Sequence, residues 1–540
     1  MSNQQQNGIQ QIPLGLVGST KFGKYPKITT EETYNMIISD SALVPYAGFA
    51  AQLQLSTTGT GRGAYASTAA NFTIAVVGNG VFLIYPLLNF QLVGNLNTTI
   101  GDVFIAENNN KEIAITDYSN IYVYNWGTGK FSVSTTSISP IVGQFTIPSN
   151  LTHPGYITFQ DGRLIVAGIG TTNWFLSALN QATVWTGVGT YIGALQTKTD
   201  FVQAPVRMPG RGNYLFVFGS TVGESWTDQG LVLFPYVKST SFNLDYGCLN
   251  AATIAYNENY ICWISQNEKS GPALMVTDGG SIKRISTDGI DYRLSNLTNP
   301  KDCYGFFFRQ DGHLIYQFTF PTDNLSYAYD FNTERFFTVT DENLNYHPAK
   351  VVVFFGDVYY FVSNKDGNFY EFDTSITDFT YSLPGLTFLH QKEIPRIRIT
   401  PPLRLPTEEA FITRNARFTI ENGQPNLIRQ VPVPQPIQRT VITTESGYFI
   451  TTETGQVIET TNFMGVLNFP ISEAGVDLSV SNDGGQTFGN SWRLNMNKSG
   501  KGKSLFIWRQ LGRANDRTFM YKFWGFKRFV ALEGIAEIYK

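Results

Sequence analysis

The chain has 540 residues, a formal net charge of −3 and only 15% charged residues. That length exceeds what one hydrophobic core organises, so two or three domains are expected. The charge balance lacks the basic footprint of a nucleic-acid binder, and no apolar run approaches the ~20 residues of a membrane-spanning helix.

Tyr (28), Phe (41) and Gly (50) are abundant. Aromatic, glycine-rich, charge-poor chains usually fold as many short strands joined by tight turns. The three cysteines, Cys248, Cys262 and Cys303, form no CxxC pair and no metal-ligand spacing, which fits a reduced, non-secreted protein. The start, Met1-Ser-Asn-Gln-Gln-Gln, has neither the basic nor the apolar region of a signal peptide.

Residues 1–44 read as an arm, polar at first and then carrying Ile12-Pro13-Leu14 and Tyr34-Asn35-Met36. From about 71 to 373 the chain repeats one unit: apolar strand, tight turn, apolar strand. Phe72 to Val77 turns at Gly78-Asn79-Gly80, Tyr156 to Phe159 at Asp161-Gly162, Phe306 to Phe308 at Asp311-Gly312, and Val351 to Phe355 at Gly356-Asp357. Asx and Gly residues supply the positive φ that such turns require. The turns fall near 79, 120, 162, 211, 258, 312 and 356, about 41 to 54 residues apart, which is the length of a four-stranded propeller blade. The expected fold class is therefore all-β: a six- or seven-bladed β-propeller over 45–385, with stacked β-sandwiches as the rival. Gln52-Leu53-Gln54-Leu55 is a candidate for the strand that seals the ring.

Beyond 385 the texture changes. A β-sandwich-like module is expected from 386–540 together with the arm. Ile394-Pro-Arg-Ile-Arg-Ile-Thr-Pro-Pro-Leu-Arg-Leu405 reads as an exposed or edge connection, because Pro is confined to edges and strand starts. A block at about 424–470, with Pro432-x-Pro434-x-Pro436 and three short Thr-rich strands, reads as a projecting insertion. Val476, Leu478 and Val480 alternate as a half-buried strand does. Next comes Ser481-x-Asp483-x-Gly485-x-Thr487-Phe488, the Asp-box pattern of a stapled hairpin turn, with Thr487 and Phe488 expected to open the return strand. The closing strands carry Phe506, Trp508, Phe519, Phe523 and Trp524 interleaved with Arg509, Arg513, Arg517 and Lys522. A strand that buries one face presents the alternate side chains outward, and Arg suits interfaces because its planar fork holds carboxylates. These basic residues read as a docking surface, as a solvated face or as a DNA contact.

Sequence signs of catalysis are few. Gly502-Lys503-Ser504 ends like a P-loop, but Asn497 stands where the first Gly belongs. The four histidines are scattered, with His313 beside a turn and expected at the surface, and there is no Gly-x-Ser-x-Gly elbow. A sialidase-like glycosidase would combine propeller and Asp boxes, but only one good box is present, and Ile394-Pro395-Arg396 falls after the propeller rather than near its first strand. No enzyme, metal or cofactor is expected. The alternative function is a sialidase-like or carbohydrate-binding propeller.

The stretch from Gly475 to Ile538, with its Asp-Gly turn, basic spacer and Trp508-Arg509-x-Leu511-Gly512-Arg513, resembles the C-terminus of the tail hub or nozzle proteins of short-tailed phages, also called packaged-DNA stabilisation proteins. Asn173-Trp174-Phe175-Leu176-Ser177, Phe218-Gly219-Ser220 with Glu224-Ser225-Trp226, and Tyr34-Asn35-Met36 before Pro45-Tyr46-Ala47-Gly48 resemble other segments of that family. The resemblance implies a virion structural protein, assembled in the bacterial host cytoplasm into a homo-hexameric ring below the head-to-tail adaptor. It implies that the ring extends the DNA conduit, retains packaged DNA, meets passing DNA only transiently, and bears tail fibres or tailspikes and a needle or plug. A ring of anionic chains agrees with a conduit that does not grip DNA, because cationic walls would bind through counterion release.

Overall fold

The computed structural model describes residues 9–22, 31–208, 213–231, 234–373, 378–382, 389–425, 439–441, 459–461, 474–496 and 503–539. Strands dominate, and the one α-helix among the described residues is Asp288–Ser295, capped by Thr287. Seven sheets stand around a common axis. The first blade runs outward through Gly61–Ser67, Phe72–Val77, Gly80–Ile84 and Phe90–Asn95. The next five begin on the inner strands Phe104–Glu107, Pro154–Gln160, Val202–Arg207, Gly247–Cys248 with Ala255–Tyr256, and Tyr304–Gln310. The seventh begins at Ala349–Phe355 and continues through Val358–Ser363 to Asn368–Asp373.

The packing fixes the blade number at seven, the upper of the two values read from the sequence. Each pair of neighbouring blades encloses its own apolar core, and there are seven of these. Val76 of the first blade meets Ile115 of the second, Phe218 of the fourth meets Trp263 of the fifth, and Val77 of the first meets Val362 of the seventh. Both faces of a central blade strand are buried, so Phe72–Val77 reads as a continuous apolar run rather than an alternation. The tight turns have the backbone the sequence demands: Gly78, Asp161, Gly162, Asp311, Gly312, Gly356 and Asp357 all have positive φ.

The ring is sealed by Gly48–Gln54. That strand pairs antiparallel with Asn368–Asp373, so chain from before the first blade completes the last. Closure of this kind removes an open sheet edge.

Beside the ring lies a two-sheet sandwich built from both ends of the chain. One sheet runs Ile9–Pro13, Ile535–Tyr539, Phe411–Pro425, Phe526–Ala531, Ala42–Pro45 and Met36–Ser39, with Lys503–Ala514 on the far side of Phe411–Pro425. The other runs Glu32–Tyr34, Arg396–Ile399, Asp516–Trp524, Gly475–Ser481 and Trp492–Asn495. Between them Phe418, Phe506, Trp508, Tyr521 and Phe523 form the core. The second sheet continues into the sixth blade, because Glu32–Tyr34 pairs in parallel with Arg335–Thr338, the outer strand of that blade. The arm is thus a structural member of both sheets. Of the 424–470 block, Gln424 and Pro425 end the strand Phe411–Pro425, and Arg439–Val441 and Glu459–Thr461 pair antiparallel; the remainder lies outside the described residues, as do the Gly210-Arg211-Gly212 turn and Lys498 and Lys501 of the basic spacer.

Candidate assembly surface

The arm is fastened by a buried arginine. Arg398 sits on Arg396–Ile399, which was expected as an exposed or edge connection but is paired on both sides, by Glu32–Tyr34 from the arm and by Asp516–Trp524, and its side chain is fully buried. Its Nε donates to the Leu16 carbonyl at 2.9 Å, Nη1 to Ser19 O at 3.3 Å and Thr33 Oγ1 at 3.0 Å, and Nη2 to Gly15 O at 2.7 Å and to the Glu31 carboxylate. Burial pulls the guanidinium pKa down and Glu31 opposes that shift. Every donor of the fork is used, which is how a buried charge is made tolerable. One side chain therefore ties two stretches of the arm to the sandwich.

A second fastening lies at the foot of the sixth blade. His313 was expected at the surface; it is buried, with Nδ1 2.9 Å from Asp330 Oδ2 and Nε2 3.2 Å from Ser39 Oγ. Ser39 ends the strand Met36–Ser39, so the trio pins that hairpin to the blade. The position beside an Asp-Gly turn suggested solvent, but the arm covers it.

The basic residues read as a docking set divide between two environments. Arg509 and Arg513, on Lys503–Ala514, and Lys522, on Asp516–Trp524, point to solvent, and none forms an ion pair among the described residues. Trp508 is buried, and its Nε1 donates to Trp492 O at 2.9 Å. Arg517 does not face outward: it is 1% exposed, on the same strand face as Phe519, Tyr521 and Phe523. Its Nη1 donates to the Leu511 carbonyl, its Nε has no partner, and burial lowers its pKa. The outward set is therefore Arg509, Arg513 and Lys522. The bond from Trp508 to Trp492 also shows that the two strands at this side of the sandwich, Lys503–Ala514 and Trp492–Asn495, lie against each other.

The Asp box is a turn staple. Asp483 Oδ1 accepts from the backbone N–H groups of Gln486 and Thr487, both at 3.0 Å, Oδ2 accepts from Thr487 Oγ1 at 2.5 Å, and Ser481 Oγ accepts from Gly485 N at 2.9 Å. Hydrogen bonds from Ser481 and Thr487 hold the Asp483 carboxyl well below the usual range. Gly484 and Gly485 have positive φ. Thr487 and Phe488 belong to the loop, and the return strand begins at Trp492.

An ion pair ties the closing blade to the start of the ring. Asp102, on the connector between the first and second blades, meets Lys350 of the seventh at 2.8 Å, and Lys350 lies over the Tyr304 ring of the sixth. Burial, with Asp102 adding to it, raises the pKa of Tyr118 on the second blade. Among the described residues no His, Cys, Asp or Glu group is arranged to hold a metal ion, and no helix is long and apolar enough to cross a membrane.

The family description "Bacteriophage P22 Gp10, beta-propeller", named Phage_stabilise, matches residues 10–377, the arm and the whole ring. The chain belongs to this family. It is accordingly a phage structural β-propeller protein of the Gp10 type. The match stops before the closing strands from Gly475 onward, on which the sequence reading placed its most detailed likeness. No curated protein matches the chain. Among solved structures, a catalytically inactive virginiamycin B lyase of Staphylococcus aureus is 13% identical, with a TM-score of 0.41 over 60% of this chain and 99% of its own. The N-terminal domain of Nup159 is 10% identical, with a TM-score of 0.37 over 63% and 98%. The computationally designed Ika8 protein is 12% identical, with a TM-score of 0.35 over 66% and 99%. Likeness at that level transfers no activity to a Gp10-type chain.

Proposed function

We propose that this protein is a subunit of the tail hub or nozzle of a short-tailed phage. Several copies, six in the reading implied by the family likeness, form a ring below the head-to-tail adaptor. The ring extends the DNA conduit, retains packaged DNA and anchors tail fibres or spikes, with a needle or plug beyond it. The observation that carries this reading is the family match across arm and ring together, supported by an arm woven through both sheets of the sandwich rather than trailing from it. A net charge of −3 per chain keeps such a wall from binding phosphates by counterion release.

Electron microscopy of the purified protein tests this. The expected image is a six-fold ring with an open channel. Particles made without a functional copy should fill their heads and then leak DNA. A monomer that cleaves a fluorogenic sialoside, or particles that retain DNA without the protein, would overturn the reading.

A further inference from the structure

Three runs of the chain, 63–101, 131–160 and 164–197, contain no Asp, Glu, Lys or Arg. All three fall in the first three blades and their connectors. The same sector holds the most exposed large apolar side chains of the propeller: Leu87 at 92%, Ile138 at 93%, Val142 at 99% and Val188 at 100%. Phe90 and Leu92 add to them from Phe90–Asn95, the outermost strand of the first blade. No further strand pairs with it among the described residues, and its sequence Phe-Gln-Leu-Val-Gly-Asn has none of the charges or prolines that protect an open edge. Isolated exposed apolar residues are ordinary; a sector that combines them with so few exposed charges, Lys111, Lys130 and Asp161, is the signature of a covered face.

We infer that the rim of the first three blades is the face on which a second copy of this chain packs. The inference deepens the ring reading above and rests on it. A face this poor in charge offers few ion pairs, so a highly charged partner would have to leave most of its own charges buried and uncompensated there. Another copy brings uncharged surface of the same kind, and in a closed ring one end of the sector, at Leu87 and Phe90, meets the other end, at Val142 and Val188, of the next copy without that cost. The extent is also sufficient. Side chains exposing on the order of 100 Å² each, six of them named above, supply most of the ~800 Å² per partner that a stable interface buries.

The experiment is mass photometry and light scattering of the full chain, from nanomolar to tens of micromolar, for wild type, Leu87→Glu, Val142→Glu and the double variant. The control is Leu344→Glu, which alters a side chain 46% exposed on the connector between the sixth and seventh blades. The expected result is a wild-type multimer of 60.2 kDa subunits. Each rim variant should raise the half-assembly concentration by at least about tenfold, a change of ~1.4 kcal/mol. The double variant should remain monomeric with an unchanged melting temperature, and the control should assemble as wild type. A monomeric wild type, rim variants that assemble normally, or a control as disruptive as they are would each overturn the inference. The two readings fail separately: a rim-dependent multimer that is absent from purified particles would sink the hub proposal and leave this interface standing.

Discussion

The first four blades and the last three have the same architecture and opposite surfaces. Residues 61–246 contain 17 charged side chains, whereas the shorter 247–373 contains 25. Their interiors do not differ in kind. Trp174 lies in the apolar core between the third and fourth blades, and Phe361 in that between the sixth and seventh; both are fully buried. The comparison separates two jobs of a sequence. Interior residues specify the blade, and they are alike on both sides. Surface residues are free of that duty and record what lies outside: solvent and the sandwich on the charged side, an uncharged neighbour on the other.

The sharpest way to break this comparison is to damage both interiors equally. Trp174→Ala and Phe361→Ala should each cost about 3–5 kcal/mol, through lost burial and the cavity left behind. Chemical denaturation of the two variants checks this; a cost confined to one half would mean that the halves differ inside as well as out. A loss of similar size is expected where the charged side joins the arm. Arg398→Ala takes from buried Glu31 one of its two cationic partners, leaving Lys21 at 2.9 Å, and strips the Gly15, Leu16 and Ser19 carbonyls of their donor; the expected cost is about 3 kcal/mol, the low end for breaking a buried pair. Limited proteolysis should then cut first within residues 9–45. An arm as protected as in wild type would show that strand pairing alone holds it.

A smaller effect concerns acid. His347 is buried in the seventh blade, stacked on Phe372 with ring centroids 5.5 Å apart, and its Nδ1 accepts from Ala349 N. Burial, aided by Lys365, pushes its imidazole pKa down to about 3. Between the unfolded value of ~6.5 and that folded value, the unfolded chain takes up a proton that the native ring refuses. Stability is therefore full above ~6.5 and falls as pH drops, by ~2 kcal/mol at pH 5. His347→Phe should flatten the dependence of denaturation midpoint on pH in this window; an unchanged slope would place the acid sensitivity elsewhere. The smallest change is expected from Asp483→Ala. Its carboxylate is depressed in the native turn, so its contribution is present above the ordinary Asp range and lost as pH falls towards the native value. The variant should loosen the 481–488 loop, seen as faster amide exchange at Thr487, and leave the ring untouched.

What the sequence disclosed, and what it hid, follows the range of the forces involved. The Asp-Gly and Asn-Gly turns were legible because backbone strain is local: positive φ at Gly78, Gly162 and Gly312 calls for those residues whatever surrounds them. Repeated turns at blade length then implied a ring. The strand Glu32–Tyr34 was not legible, because its partners are Arg335–Thr338 and Arg396–Ile399, some 300 residues further along the chain. The burial of His313 was hidden for the same reason, since the covering residue is Ser39. Arg517 is different. It stands two positions before Phe519 and therefore shares the inward face with Phe519, Tyr521 and Phe523, whereas Lys522 has the opposite parity and is exposed. The period of two already separates these residues; the habit of sending arginine outward does not. Leu511 escapes simple counting: Gln510 has φ 57° and the register shifts there, so Leu511 is buried between exposed Arg509 and Arg513.

The pairing of the two chain ends has a mechanical consequence. Ile9 faces Tyr539 and Pro13 faces Ile535, so the first and last described strands lie side by side. Tension that pulls the arm along its own axis loads all five pairs of that ladder in shear, and they must yield together. Tension that draws the two ends apart peels the ladder one pair at a time, starting at Ile9 and Tyr539. The same strand is strong in one direction and weak in the other, so a neighbour that grips only the arm meets a rivet, and one that separates the termini finds a tear strip.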